Sequence, residues 1–176
     1  ECHACIMDGL RLHMGLRIKY KHNDIADCEK VLARAEKVAT EQGGGVLLVT
    51  EGVYGMTGAM GALGKIVPLK KKYKFRILID DAHGFGVMGA HGRGTSEEQG
   101  VMDGVDLYFG AFAKAMAAIG GFIAGPKEII NFLRYNLRSQ IYAKSLPMAL
   151  VEGCLKRLDM IRNGDERRRH LFEIAR

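Results

Sequence analysis

The chain has 176 residues, 48% hydrophobic and 26% charged, which suits one folded domain with a sizeable core and excludes a disordered or disulfide-stapled chain. No apolar run reaches the roughly 18–20 residues a membrane-crossing helix needs, since the best, Ala115 to Gly125, is short and broken by glycines. The net charge of +6 raises nucleic acid as a partner, but Lys70, Lys71, Lys72 and Lys74 beside Tyr73, and Arg167, Arg168 and Arg169 beside Asp165 and Glu166, read as solvated faces; an anionic small molecule suits the excess equally well.

In chain order, the first element is a helix. Asn23-Asp24 offers an N-cap, and Ile25, Cys28, Val31, Leu32, Ala35, Val38 and Ala39 follow at helical spacing until Gly43-Gly44-Gly45 stops them. Val46 to Thr50 is a continuous aliphatic and β-branched run, the pattern of a strand buried on both faces. A turn-rich stretch from Gly52 to Gly64 leads to a helix around Ile66–Tyr73, and then to a second buried strand, Phe75 to Ile79. Val105–Phe109 and Gly121–Ala124 are shorter candidate strands. Pro126 suits a first helical position, and after Lys144-Ser145-Leu146-Pro147 a long helix runs to about Ile161. Strands alternating with helices predict an α/β fold with a mostly parallel sheet covered on both faces, whose ligands gather at the carboxyl ends of the strands. Four cysteines without a signal-peptide pattern point to a reducing, cytoplasmic setting. A start at Glu1 and a stop inside a helix-like run predict a piece of a longer protein.

Three constellations compete for the chemistry. Cys2-His3-Ala4-Cys5 has no second ligand pair, as Cys28 and Cys154 stand alone, so lone buried thiols are expected there rather than a metal. Gly84-Phe85-Gly86-Val87-Met88-Gly89 is a formal dinucleotide fingerprint, yet the glycine-broken run to Thr95 cannot open the helix that would receive a pyrophosphate. The third set is Asp80, His83 and Lys114. Asp80 closes a buried strand, where an ionised carboxylate is costly unless it meets a cation. His83 follows three residues later. Lys114 is flanked by small and apolar residues, surroundings that disfavour a free ammonium and favour amine chemistry, although a lysine can also reach solvent along its own stem. A carboxylate for a pyridinium nitrogen, a histidine at the ring and a reactive lysine are the groups that pyridoxal phosphate needs.

At these residues the sequence resembles a known family. Asp80-Asp81-Ala82-His83-Gly84, then Gly92-Arg93-Gly94-Thr95 and Phe112-Ala113-Lys114-Ala115, together with Thr50-Glu51-Gly52-Val53-Tyr54-Gly55-Met56 and His22-Asn23-Asp24, resemble the α-oxoamine synthases in order and spacing. These are pyridoxal-phosphate transferases of fold-type I. Arg138 to Pro147 is most similar to the Bacteroides-type serine palmitoyltransferase branch. The resemblance implies that Lys114 holds the cofactor and moves the substrate Cα proton, and that Asp80 pairs with the pyridine nitrogen. It implies also that His83 bonds the ring's phenolic oxygen, and that His3 stacks on the ring and orients the substrate carboxylate. The implied reaction is decarboxylative condensation of an amino acid, most simply serine, with a long-chain acyl-CoA; glycine with acetyl-CoA and alanine with pimeloyl-CoA are the runners-up.

The resemblance covers only the middle of the family's chain. It makes residues 1–145 part of the cofactor-binding large domain and 146–176 a helix leading to a C-terminal small domain. It places the phosphate and substrate-carboxylate sites outside this segment, and implies a homodimer with Ser139 to Pro147 as a candidate interface. Gly55 stands where relatives have serine, Ala111 where they have threonine and Ala59 where they have an acid. Those departures leave a catalytically weakened scaffold subunit as the alternative to an active enzyme.

Overall fold

The structure is a computed structural model that describes residues 2–175. A four-stranded sheet in the order β1 (Leu47–Glu51), β2 (Arg76–Asp80), β3 (Leu107–Ala111), β4 (Gly121–Ala124) organises the chain, with β1, β2 and β3 parallel and β4 antiparallel to β3. The helices are α1 (Ala4–Arg11), α2 (Ile25–Glu41), α3 (Leu63–Ile66), α4 (Thr95–Glu98), α5 (Lys127–Asn136), α6 (Arg138–Ile141), α7 (Met148–Arg162) and α8 (Asp165–Ile174). No described helix is long and apolar enough to cross a membrane.

Each predicted element is present, with informative shifts. Asp24 caps α2 by accepting from the Asp27 N–H at 2.9 Å, and Gly43 leaves the helix at φ +65°. The expected helix over 66–73 is instead the short α3 followed by a 3-10 turn, Val67–Lys71, because Pro68 supplies no N–H to continue an α-helix. Beyond Pro147 the expected long helix is α7, and a further helix, α8, follows it.

Side chains alternate across the sheet, so its two faces differ in character. Leu48 and Thr50 of β1 and Ile77 and Ile79 of β2 point to one face, all buried, and the aliphatic ones join Cys28, Leu32, Leu63, Ile66, Leu69 and Phe75 in the core. Thr50 is accommodated there because its hydroxyl meets those of Tyr20 (3.2 Å) and Tyr54 (2.9 Å). The opposite face carries Leu47, Val49 and Glu51 beside Arg76, Leu78 and Asp80, and is covered only in part: Leu47 is 51% exposed. Within this chain the expected burial on both faces therefore holds for one. The less covered face ends in two carboxylates.

The charged runs are not simply solvated. Lys70 pairs with Asp106 and donates to the Gly104 carbonyl at 2.7 Å, while Asp106 also accepts from Arg76 at 2.9 Å and from the Ile77 N–H at 2.7 Å, tying the approach to β3 against β2. Arg168 is buried, bonding the Ile161 carbonyl (2.7 Å), the Ala90 carbonyl (3.0 Å) and Asp165. Lys72 keeps a surface pair with Glu29 at 2.8 Å.

Candidate active site

The carboxyl ends of β1 and β2 are in parallel register, and their last residues, Glu51 and Asp80, are Cα partners on the sheet's open face. Both carboxylates are buried. Asp80 Oδ1 accepts from the Ala82 N–H at 3.0 Å, and no other hydrogen bond to that carboxylate occurs among the described residues. An acid so placed is ready for a further donor, a requirement that a protonated ring nitrogen meets.

After Asp80 the chain turns sharply, and Asp81 makes the turn rigid. This fully buried side chain accepts from the Thr95 N–H (2.6 Å), the Thr95 hydroxyl (2.7 Å) and the Tyr108 hydroxyl (3.0 Å). Three glycine backbones, Gly52, Gly84 and Gly94, crowd it so closely that a Cβ on any of them would come within about 2.1 Å of its oxygens. Burial first, with the Asp80 charge adding, pushes the Asp81 carboxyl up against the pull of its three donors. Sequence reasoning assigned nothing to Asp81; its signal was a second acid beside Asp80, followed by glycines at close intervals.

That turn presents His83. Its imidazole is held below the ordinary histidine range, first by burial and then by the Lys114 ammonium, with the Asp80 carboxylate opposing and His3 adding a small push in the same direction. Of the four residues singled out in the sequence, His3, Asp80 and Lys114 thus all lie within electrostatic reach of His83. The ring also lies against Gly55: a Cβ there would be 2.5 Å from His83 Nε2, so the missing serine is matched by an imidazole occupying its space.

Lys114 sits in the connection between β3 and β4, whose flanks are pinned by the Ala111–Gly121 pairing and by the Phe112 N–H bond to the Gly120 carbonyl at 2.9 Å. The side chain is exposed in this chain, contrary to the close-packed apolar surroundings its neighbours suggest, and of those neighbours only Met116 is buried. Small residues here serve the tight turn, including Ala117 at φ +42°.

His3 caps α1. Its Nδ1 accepts from the Cys5 N–H at 3.3 Å, and its backbone N–H donates to Glu51. Cys5 is exposed and Cys2 half-buried, so the expectation of lone buried thiols fails for this pair and holds for Cys28 and Cys154. Among the described residues no three His, Cys, Asp or Glu side chains are grouped to hold a metal. The glycines at 86, 89, 92 and 94 all take positive φ, and the next helix, α4, has four residues; the loop is a series of turns, not a pyrophosphate cradle.

The arrangement fits pyridoxal phosphate. A buried acid with a single protein donor, a histidine within its electrostatic reach, an exposed amine that also acts on that histidine and a second histidine at a helix start are groups that an aromatic aldehyde with a basic ring nitrogen can use.

Comparison with known proteins agrees. The family model described as aminotransferase class I and II matches residues 2–176. The chain is 54% identical over 173 residues to the cysteate-C-fatty acyltransferase of Capnocytophaga ochracea, covering 98% of this chain and 41% of that protein. It is 43% identical over 173 residues to the serine palmitoyltransferase of Bacteroides thetaiotaomicron, covering 98% and 43%. A serine palmitoyltransferase variant from S. paucimobilis solved with bound PLP–myriocin superposes with a TM-score of 0.91 at 31% identity, over 99% of this chain and 44% of that one. The chain spans about two fifths of the length of the relatives it matches.

Proposed function

The chain belongs to the aminotransferase class I and II family, and on that premise we propose that it forms the central part of a pyridoxal-phosphate enzyme that transfers a fatty acyl group from a coenzyme A thioester to the α-carbon of a small amino acid, with loss of carbon dioxide. The observation that carries this reading is the convergence of Asp80, Lys114 and His3 on His83.

When bound, pyridoxal phosphate supplies an electron-accepting ring that stabilises negative charge at a substrate α-carbon. Asp80, buried at the strand end, would hold a proton on the ring nitrogen by accepting its hydrogen bond, since a carboxylate opposite a cation is favoured in such a setting. His83, biased towards its neutral form by burial and by Lys114, would have an N–H to give to the ring oxygen. Lys114 would supply the amine that holds the aldehyde and the base that takes the Cα proton. His3 has Nδ1 occupied by the Cys5 N–H, which leaves Nε2–H to face the ring and the substrate carboxylate.

For the amino acid we favour cysteate over serine. The higher identity to a cysteate-C-fatty acyltransferase supports this choice, and the excess of positive charge suits a sulfonate. The same reading makes residues 1–145 part of the large domain and 146–176 the passage to a small one. It makes the intact protein a cytoplasmic homodimer, a view supported by exposed Ile141, Tyr142 and Met148 in and beside the segment Ser139 to Pro147.

The test uses the full-length protein. It is expected to bind pyridoxal phosphate with a visible absorption band that Lys114→Ala abolishes, and to release thiol from long-chain acyl-CoA faster with cysteate than with serine. A colourless protein unaffected by added cofactor would leave the scaffold reading standing; faster turnover of serine would overturn the substrate choice.

A further inference from the structure

Glu51 is a buried titratable group, aligned with Asp80 across the strands, for which the proposed chemistry has no use. As the last residue of β1 it lies on the open face of the sheet, in register with Asp80 and 4% exposed. Its carboxylate accepts the backbone N–H of His3, 48 residues earlier in the chain.

The reason for so distant a partner lies in the start of α1. His3 is the N-cap, at φ −52° and ψ 147°, so its own N–H has no place in the helical ladder. Many helices satisfy that group locally, with a Glu or Gln at the third helical position reaching back. Here the third position is Ile6, which has no acceptor. Glu51 takes over that role from the sheet. On the other side the His3 imidazole is tied by Nδ1 to the Cys5 N–H. The histidine is therefore held at two points, one on its ring and one on its backbone, and the backbone point is anchored to the strand adjacent to Asp80.

We propose that Glu51 is a positioning residue that fixes His3 relative to Asp80, so that the imidazole is already placed when the aromatic cofactor arrives. The inference rests on the cofactor reading above for its consequence, though not for the anchor itself. Holding an exposed residue in one geometry before binding removes an ordering cost that the ligand would otherwise bear. Burial raises the Glu51 carboxyl and the Asp80 charge adds to this, while the His3 N–H is the foremost of the influences that pull it down.

The experiment is a double-mutant cycle in the full-length protein with two readouts. The first is hydrogen exchange at the His3 amide without cofactor. It is expected to be slow in the wild type and in Glu51→Gln, whose amide oxygen still accepts, and at least about tenfold faster in Glu51→Ala and in Glu51→Met, which fills the same space without an acceptor. The second is the dissociation constant for pyridoxal phosphate, followed by the visible circular dichroism of the bound ring. Glu51→Met is expected to weaken binding about tenfold, as for one lost hydrogen bond to a charged group. Glu51→Gln should stay near wild type, and Glu51→Met added to His3→Ala should cost nothing further. An equal loss in both backgrounds would show Glu51 acting on the fold and not through His3, and would overturn the proposal, as would unchanged amide exchange. A wild type that binds no cofactor would instead refute the functional reading, and the exchange readout would still decide the anchor.

Discussion

Replacing Asp81 by alanine strands three donors in the interior at once: the Thr95 N–H, the Thr95 hydroxyl and the Tyr108 hydroxyl, now bonded at 2.6, 2.7 and 3.0 Å. Each buried donor left without a partner costs about 1–3 kcal/mol. The low end applies, because removing the carboxylate also recovers the cost of its burial, and burial is the chief reason its carboxyl is pushed up. The expected loss is therefore about 3 kcal/mol. Asparagine behaves differently. With its amide oxygen facing the Thr95 N–H and the Tyr108 hydroxyl, and its amide nitrogen donating to a rotated Thr95 hydroxyl, all three contacts survive, and the cost falls below about 1 kcal/mol. Urea unfolding of the full-length protein, read as a shift in midpoint at constant slope, measures both. If Asp81→Asn destabilises as much as Asp81→Ala, the charge and not the bonding pattern holds this turn, and the reasoning fails.

Other consequences concern the site and its support. Lys114→Met removes a cation that holds the His83 imidazole down, so the His83 titration followed by NMR without cofactor should move up towards the ordinary value of about 6.5, and an unmoved titration would place the amine elsewhere. Although burial works the other way, Lys70, the Ile77 N–H and Arg76 together hold Asp106 below the usual carboxylate range. Its stabilising contribution is thus present above the unfolded value of about 3.9 and lost as pH falls through the folded one. Asp106→Asn should cost about 2 kcal/mol at neutral pH by urea unfolding, with the difference from wild type narrowing in acid. Gly55→Ser brings a Cβ to the 2.5 Å approach at His83 Nε2; because a ring can swing where a backbone cannot, it should shift the His83 resonances and weaken cofactor binding several-fold, as a site held to about 0.5 Å demands, while leaving the unfolding midpoint nearly unchanged.

β1 and β2 were legible to within one residue because a buried strand must be an unbroken aliphatic run, β3 lies two residues beyond its expected span, and Gly121–Ala124 coincides with β4. What the run does not disclose is where it ends. Glu51 and Asp80 both belong to their strands, and only Asp80 was singled out, since nothing in a single sequence says that the two align across the ladder. Arg168 and Lys70 were misread for a related reason. Runs of like charge look solvated until partners far along the chain, Ala90 and Asp106, are brought to them by the fold. Around Lys114 the sequence left open both close packing and a stem reaching solvent; the exposed side chain takes the second, and the turn between β3 and β4 explains the small residues.

The guanidinium of Arg168 has a consequence for how the molecule moves. It reaches from α8 to the Ala90 carbonyl, in the loop that starts at His83 and ends where Thr95 meets Asp81. The last helix and the ribbon of turns bordering the imidazole are thereby mechanically joined, so a load on α8 has a direct route to the candidate site.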